Sequence, residues 1–125
     1  MVEAPLVVPD VEFGRKILRA LDVAQFPLTV AAWLKENDDW NLVLATPLYE
    51  EIGVKEAYRR LLAALSIEGP VYLAGLPLRL EGQRSPFVKA LRKTFGKTAS
   101  VEGMRLGGHT IGGTWVGDGY IYRIK

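Results

Sequence analysis

The residue best suited to acid–base chemistry is the single histidine of the chain, His109, which lies within the glycine-rich stretch 106–113. An imidazole exchanges its proton near neutral pH and can act as a general base toward a hydroxyl group. Such a base needs an orienting carboxylate and a nucleophile. The candidates nearby in the sequence are Ser100, Glu102, Thr110 and Asp118. No spacing brings these residues together, so we expect a solvated His109 and retain it only as the best single catalytic candidate.

The glycine-rich stretch is a second place where chemistry is conceivable. Closely spaced glycines allow backbone N–H groups to approach a phosphate. The stretch matches no dinucleotide-binding fingerprint, however, and no amphipathic helix follows it. A turn and a bulge between two strands account for the glycines, because glycine adopts dihedral angles that other residues avoid. We therefore expect no bound cofactor.

The inventory of nucleophiles and metal ligands excludes several kinds of site. The chain has no cysteine, which excludes disulfides, thiol nucleophiles and thiolate-bound metals. A single histidine excludes a multi-histidine metal site, and the acidic pair Glu50 and Glu51 is typical of the approach to a helix N-terminus. The Asp-x-Lys or Glu-x-Lys pair of a metal-dependent nuclease is absent. We expect no metal, and the sequence leans against catalysis while leaving it open.

The segment 84–97 is the most basic part of the chain. Its cations are Arg84, Lys89, Arg92, Lys93 and Lys97. They can lie along a phosphate backbone, with Phe87 available for stacking, which makes a nucleic-acid-binding accessory protein one hypothesis. The alternative is a solvated helix face whose late cations complement the helix dipole.

Charge is also unevenly distributed along the chain. The segment 36–56 holds six acids and one base, whereas the segment 79–105 holds seven bases and two acids. This asymmetry predicts two opposed patches on the surface, provided that the two segments lie apart. The net charge of +2 is too small to indicate a partner by itself.

Large aromatic side chains fall in the segments that we predict as strands. They are Trp33, Trp40, Trp115, Tyr120 and Tyr122. Aromatics on a sheet face without a covering helix are natural anchors for a protein partner or a second copy. Three helices for about six strands would leave one face partly uncovered. The leading hypothesis is therefore a non-catalytic interaction module that binds a protein partner or forms a homodimer.

The elements that must position these residues indicate an α+β fold. Asp10 is a suitable N-cap for a first helix that ends before Pro27, and two strands follow at 28–34 and 40–48 around a turn at 37–39. Both faces of this hairpin are apolar, which predicts a central position in the sheet. A second helix over 54–65 follows the i, i+3, i+4, i+7 rule.

The second half of the chain predicts a further helix between strands. Short strands are expected at 71–74 and 76–80, and Ser85 before Pro86 predicts a helix start. After a stop at Gly96, we predict a strand over 101–106. A last hairpin is expected at 114–116 and 120–124, turning at Gly117, Asp118 and Gly119. The predicted order is α-β-β-α-β-α-β-β-β, a mainly antiparallel sheet of about five to six strands with three helices.

Length and hydropathy predict one cytoplasmic domain. The 125 residues suit a single α+β domain over 1–125, and 49% hydrophobic residues supply a core. The first ten residues lack the pattern of a secretory signal. The longest uncharged apolar stretch is 71–78, far below the roughly 20 residues of a membrane span. We expect no contact with a membrane.

Three short segments carry a resemblance. They are Trp40-Asn41-Leu42-Val43-Leu44-Ala45-Thr46-Pro47-Leu48, Glu56-Ala57-Tyr58-Arg59-Arg60 and Tyr120-Ile121-Tyr122-Arg123. The chain resembles a group of short uncharacterised bacterial proteins that share W-x-L-V-x-A-[ST]-P-L, E-A-Y-R and a Y-I-Y-R tail. The resemblance implies a small stand-alone bacterial domain. It implies no activity, cofactor or site residue.

Overall fold

The secondary structure follows the hydrophobic pattern of the chain. The computed structural model describes residues 8–36, 39–66, 78–95 and 103–125, without the side chains of residues 8–10, 39, 66 and 109. The helices are α1 (Val8–Val23), α2 (Leu48–Glu51), α3 (Val54–Ser66) and α4 (Pro86–Phe95). The strands are β1 (Val30–Glu36), β2 (Asp39–Thr46), β3 (Leu78–Gly82), β4 (Met104–Ile111) and β5 (Thr114–Ile124).

The five described strands form one mixed sheet in the order β3-β2-β1-β5-β4. The pairs β1–β2, β1–β5 and β4–β5 are antiparallel, whereas β2 and β3 are parallel. The parallel pair is possible because α3 lies between β2 and β3 in the chain, and a parallel connection must cross over. Helices and a mainly antiparallel sheet confirm the predicted α+β class.

Helices cover the sheet on both faces. Residues Ala31 and Trp33 of β1 pack in one core cluster with α1 and α3, and Val30, Ala32 and Leu34 pack in a second cluster with α4. Successive side chains of a strand point to opposite faces, so a strand between two layers is apolar throughout. The central position predicted for the first hairpin is confirmed. Each face carries at least one helix, and Trp115 of β5 remains exposed, so the expectation of a partly uncovered face is not contradicted.

The three longer helices match the predicted ones, with one error at a boundary. The first begins at Val8, so Asp10 lies in its first turn and does not precede it. It ends at Val23, where the N–H of Phe26 donates to the carbonyl of Leu21 at 2.8 Å and Gln25 adopts a φ of 60°. This is a Schellman-type end, which closes the helix before Pro27 is reached.

The last hairpin turns at a different place from the predicted one. The strand β4 runs through most of the glycine-rich stretch, and the turn falls at Gly112 and Gly113, which have φ values of 55° and 84°. A two-residue hairpin turn needs positive φ at its central residues, and glycine adopts this at little cost. Gly117 and Gly119 do not have positive φ, and β5 continues through them. The turn predicted at 117–119 is therefore wrong.

A short helix that the sequence did not predict follows the central hairpin. The Thr46 hydroxyl accepts a hydrogen bond from the N–H of Leu48 at 3.2 Å, which starts α2. The carboxylate of Glu50 then accepts the N–H groups of Gln83 and Arg84 at 3.0 and 2.9 Å. Glu50 thus holds the β3–α4 turn. The strand predicted at 71–74, the turn at Asn37 and Asp38, and the stop at Gly96 lie outside the described residues.

Within the described ranges, no helix combines the length and the apolar character needed to cross a membrane.

Candidate interaction surfaces

His109 lies on an edge strand of the sheet. Its backbone is in β4, opposite Val116 of β5, and its side chain is outside the described part of the structure. Of its proposed helpers, Ser100 and Glu102 are not among the described residues. Asp118 is engaged elsewhere, because its carboxylate accepts a hydrogen bond from Arg105 at 2.7 Å. The remaining helper, Thr110, follows His109 on β4, opposite Trp115. In the described ranges, no three His, Asp or Glu residues form a group that could hold a metal ion.

The five aromatic residues do not share one surface. Trp33 and Tyr122 are buried in the core between the sheet and α1, so they cannot touch a partner while the domain is folded. Trp40 and Tyr120 are half-buried and pack against the same core. Trp115 is 61% exposed. The structure removes Trp33 and Tyr122 from the expected interaction surface and leaves Trp115 as its most accessible member.

Tyr122 anchors α1 to the sheet. Its hydroxyl donates to the main-chain carbonyl of Val11 at 2.7 Å, and its ring makes an edge contact with Tyr120 at a centroid distance of 5.1 Å. Tyr120 in turn accepts a hydrogen bond from Arg15 at 3.2 Å. A tyrosine ring supplies both apolar packing and a polar tip, which suits this position between helix and strand. These two tyrosines therefore serve the fold.

The burial of Tyr122 makes the stability of the domain sensitive to alkaline pH. Burial raises the pKa of Tyr122 from 10.0 to about 12, and a hydrogen bond from Trp33 opposes the shift. The pKa of Tyr122 is higher in the folded than in the unfolded protein, so its contribution to the free energy of unfolding is complete below pH ~10. This contribution, about 2–3 kcal/mol, is lost as the pH rises toward ~12. Urea denaturation across this range should show the loss in wild type and in Tyr120→Phe. An equally steep decline in Tyr122→Phe would contradict the assignment.

Trp115 stands beside an open strand edge. Its ring lies over Gly108, where an added Cβ would be 3.1 Å from Cη2 of the indole. The neighbouring Gly107 has no heavy atom within 4 Å of the position of a Cβ. The indole therefore lies over a stretch of backbone without side chains at Gly107 and Gly108.

The strand β4 forms one edge of the sheet and, in the described part of the chain, pairs with β5 alone. Unpaired edges template the addition of another strand, and proteins protect them with charges or by keeping them short. The opposite edge strand, β3, has five residues and carries Arg79 and Glu81. The β4 edge has eight residues, and the charge of Arg105 is paired with Asp118 across the hairpin at 2.7 Å. By length and charge β4 is the less protected edge, and its one irregularity is at Gly108, which has a φ of 48°.

The basic residues of the segment 84–97 lie mostly on the solvent face of α4. Lys89, Arg92 and Lys93 are exposed, and Arg84 is exposed just before the helix. The Nε of Arg92 donates to the main-chain oxygen of Lys125 at 2.7 Å, which places a further exposed cation beside the helix. The structure thus brings four of the five predicted basic residues onto or next to one helix. The fifth, Lys97, lies outside the described residues.

The two opposed charge patches are not found as predicted, because the acidic and the basic segments meet. Glu36 is buried on the α4 side of the sheet, and its two carboxylate oxygens accept the guanidinium of Arg79 at 2.7 and 3.1 Å. The Nε of Arg79 lies 3.0 Å from the carboxylate of Glu81, an ion pair without hydrogen-bond geometry. The guanidinium also lies 5.6 Å from the ring centroid of Phe87. The ion pair of Glu36 and Arg79, the Glu36–Arg79 pair, therefore neutralises charge inside the fold.

Sequence reasoning missed two features of these surfaces. The glycines Gly107 and Gly108 were expected in a turn and a bulge, and they lie within the edge strand β4, where Gly108 has a φ of 48°. Lys125 was not among the basic candidates. It lies beside α4 because it follows β5, whose end is next to that helix.

A comparison with protein-family models, with curated proteins and with solved structures finds no match to this chain.

Proposed function

We propose that this chain is a non-catalytic interaction module that self-associates through antiparallel pairing of β4 with β4 of a second copy. The observation that carries the proposal is the open edge of β4, which is longer and less charged than the edge of β3. A bacterial source and a cytoplasmic location belong to the same proposal. They rest on the sequence resemblance and on the predictions from the sequence.

A second copy is the partner that this edge fits best. Antiparallel pairing of a strand with itself is self-complementary about a twofold axis, which is the commonest symmetry of oligomers. The midpoint of β4 lies between Gly107 and Gly108, so full-length pairing sets the glycines of the two copies side by side. Arg105 of β4 forms an ion pair with Asp118, which neutralises its charge. The Arg105 side chains of the two copies would therefore add little repulsion to the pairing. The unpaired backbone groups of both edges would gain hydrogen bonds.

Trp115 supplies the apolar part of such an interface. It lies on β5 opposite Thr110 of β4, one strand away from the proposed contact. Large aromatic side chains that become buried in an interface contribute a disproportionate share of the binding energy. Pairing of the edges would cover part of the indole and explain its exposure in the isolated chain.

The substitution Gly107→Lys tests the edge directly. The backbone of Gly107 has no positive φ and an added side chain meets open space, so the fold should tolerate the change. In the dimer, the two lysines would approach each other near the twofold axis, and like charges across strands repel. We expect the dimer dissociation constant to rise by about tenfold, which corresponds to ~1.4 kcal/mol. Sedimentation velocity over a range of protein concentrations measures it.

The matched control is Gly117→Lys on β5. Gly117 also lacks positive φ, and its added Cβ would meet only Nε1 of Trp115 at 3.8 Å. It carries the same new charge on an inner strand of the same hairpin, so dimerisation should persist. Equal weakening by both variants would indicate a face-to-face contact and overturn the edge model. A wild-type protein that stays monomeric at high concentration would refute self-association altogether.

A further inference from the structure

In the described part of the chain, the cations of α4 differ from most arginines of the fold in having no Asp or Glu partner. Arginines elsewhere form ion pairs with carboxylates: Arg15, Arg59, Arg79, Arg105 and Arg123. The ion pairs within the described ranges include none of Lys89, Arg92 and Lys93. The helix itself contains no Asp or Glu. Within the described residues, the positive charge of α4 is therefore not balanced by an Asp or Glu partner, whereas five arginines elsewhere are paired.

The geometry of α4 aligns these charges. Positions 89, 92 and 93 are related by i, i+3 and i+4, so the three side chains share one face with Cβ separations of ~5–6 Å. The hydrogen bond from Arg92 to the main-chain oxygen of Lys125 fixes its guanidinium and ties the helix to the end of β5. Arg84 lies before the helix and Lys125 lies beside Arg92, so both add to the basic surface around the row.

The apolar face of α4 argues against a membrane as the anionic partner. Phe87, Val88 and Leu91 are buried against the sheet. A helix that lies on a membrane surface needs a free apolar face to insert among the lipids. The exposed residues of α4 include Lys89, Arg92, Lys93 and Thr94 but no large apolar side chain, which suits a hydrophilic polyanion.

We propose that the solvent face of α4 binds the phosphate backbone of nucleic acid without reading the base sequence. Lys89, Arg92 and Lys93 contact phosphates directly, and Arg84 and Lys125 extend the contact. Duplex DNA carries one charge per about 1.7 Å of its axis, so a row of three cations at helical spacing can neutralise about three phosphates. This site is distinct from the β4 edge and does not depend on self-association.

The test measures binding of a labelled 25-base-pair duplex of random sequence by fluorescence anisotropy. With three phosphates neutralised, the slope of log affinity against log salt is about −2.7, so affinity should fall about 40-fold between 50 and 200 mM salt. The triple variant Lys89→Glu, Arg92→Glu and Lys93→Glu should abolish binding at both concentrations. Circular dichroism confirms that the variant is folded.

The matched control reverses Lys16, Arg19 and Lys55, three exposed cations on α1 and α3, with the same change in net charge. It should retain most of the affinity if the site is α4. Equal loss in both triple variants would show that only the overall charge matters and would overturn the site. Affinity independent of salt, or binding to phosphatidylserine vesicles in place of the duplex, would overturn the proposal as well.

Discussion

Replacing Arg79 by leucine should lower the free energy of unfolding by about 3 kcal/mol, whereas replacing Glu36 by leucine should lower it by only about 1 kcal/mol. The asymmetry follows from burial. Glu36 is 8% exposed, and Arg79 is 33% exposed. Removing the arginine takes the cation from the buried carboxylate of Glu36 and also from the carboxylate of Glu81. Removing the glutamate leaves an arginine that still contacts Glu81 and can reach solvent.

Urea denaturation of the two single variants and of the double variant measures the effect. The double variant replaces the ion pair by apolar side chains beside the existing core and should be more stable than Arg79→Leu alone. Phe87 loses the cation over its ring in both Arg79 variants, so this contribution cancels in their comparison. Equal costs for the two single substitutions would contradict the account, because they would mean that burial of Glu36 does not determine the penalty.

The second large effect is expected at Gly14, where two principles predict opposite signs. Alanine in place of a mid-helix glycine normally stabilises a helix by about 1 kcal/mol. At this position an added Cβ would collide with the hydroxyl of Tyr122 and lie 2.6 Å from Cζ of its ring. Overpacking of this kind costs about 1–3 kcal/mol, and it also displaces the hydrogen bond from Tyr122 to Val11. We expect packing to win, with Gly14→Ala destabilising the domain by about 2 kcal/mol.

The control for this prediction is the same substitution in a Tyr122→Leu background. Without the aromatic ring the collision is relieved, and the helix propensity of alanine should appear as a gain of up to ~1 kcal/mol. Chemical denaturation of the four proteins completes a double-mutant cycle with a coupling energy of about 2–3 kcal/mol. A stabilised Gly14→Ala single variant would show that α1 shifts away from the sheet without penalty.

Much of the fold could be predicted because its signals are local. The spacing of Ala57, Leu61 and Leu65 indicates a helix wherever it is placed, and Ser85 before Pro86 starts the next one. The hairpin of β4 and β5 could not be located, since glycines occur both at 112–113 and at 117–119. What distinguishes the two segments is a contact of Gly112 with the N-terminus of α4. An added Cβ on Gly112 would lie 2.9 Å from the Cα of Phe87. That contact is tertiary and has no local signature.

The surfaces were less predictable than the elements, for the same reason. Trp33 and Trp115 both occupy strands of similar composition, and only the reach of α1 across the sheet makes one buried and the other exposed. The Glu36–Arg79 pair joins residues 43 positions apart, which no pattern along the chain reveals. The basic face of α4 was visible from helical spacing, but its lack of acidic partners depends on the packing of the whole domain.

Among the described helices, α4 is the one that packs on its face of the sheet, and this affects how the molecule would bind a long ligand. Antiparallel pairing at the β4 edges extends the sheet about an axis perpendicular to it, so both copies of α4 would point to the same side. The two α4 helices of the dimer could then contact the same phosphate backbone. Once the first helix is bound, the second would be held near the ligand at a high effective concentration. The apparent affinity for nucleic acid would rise steeply with protein concentration, and short duplexes that span only one helix would lose this avidity.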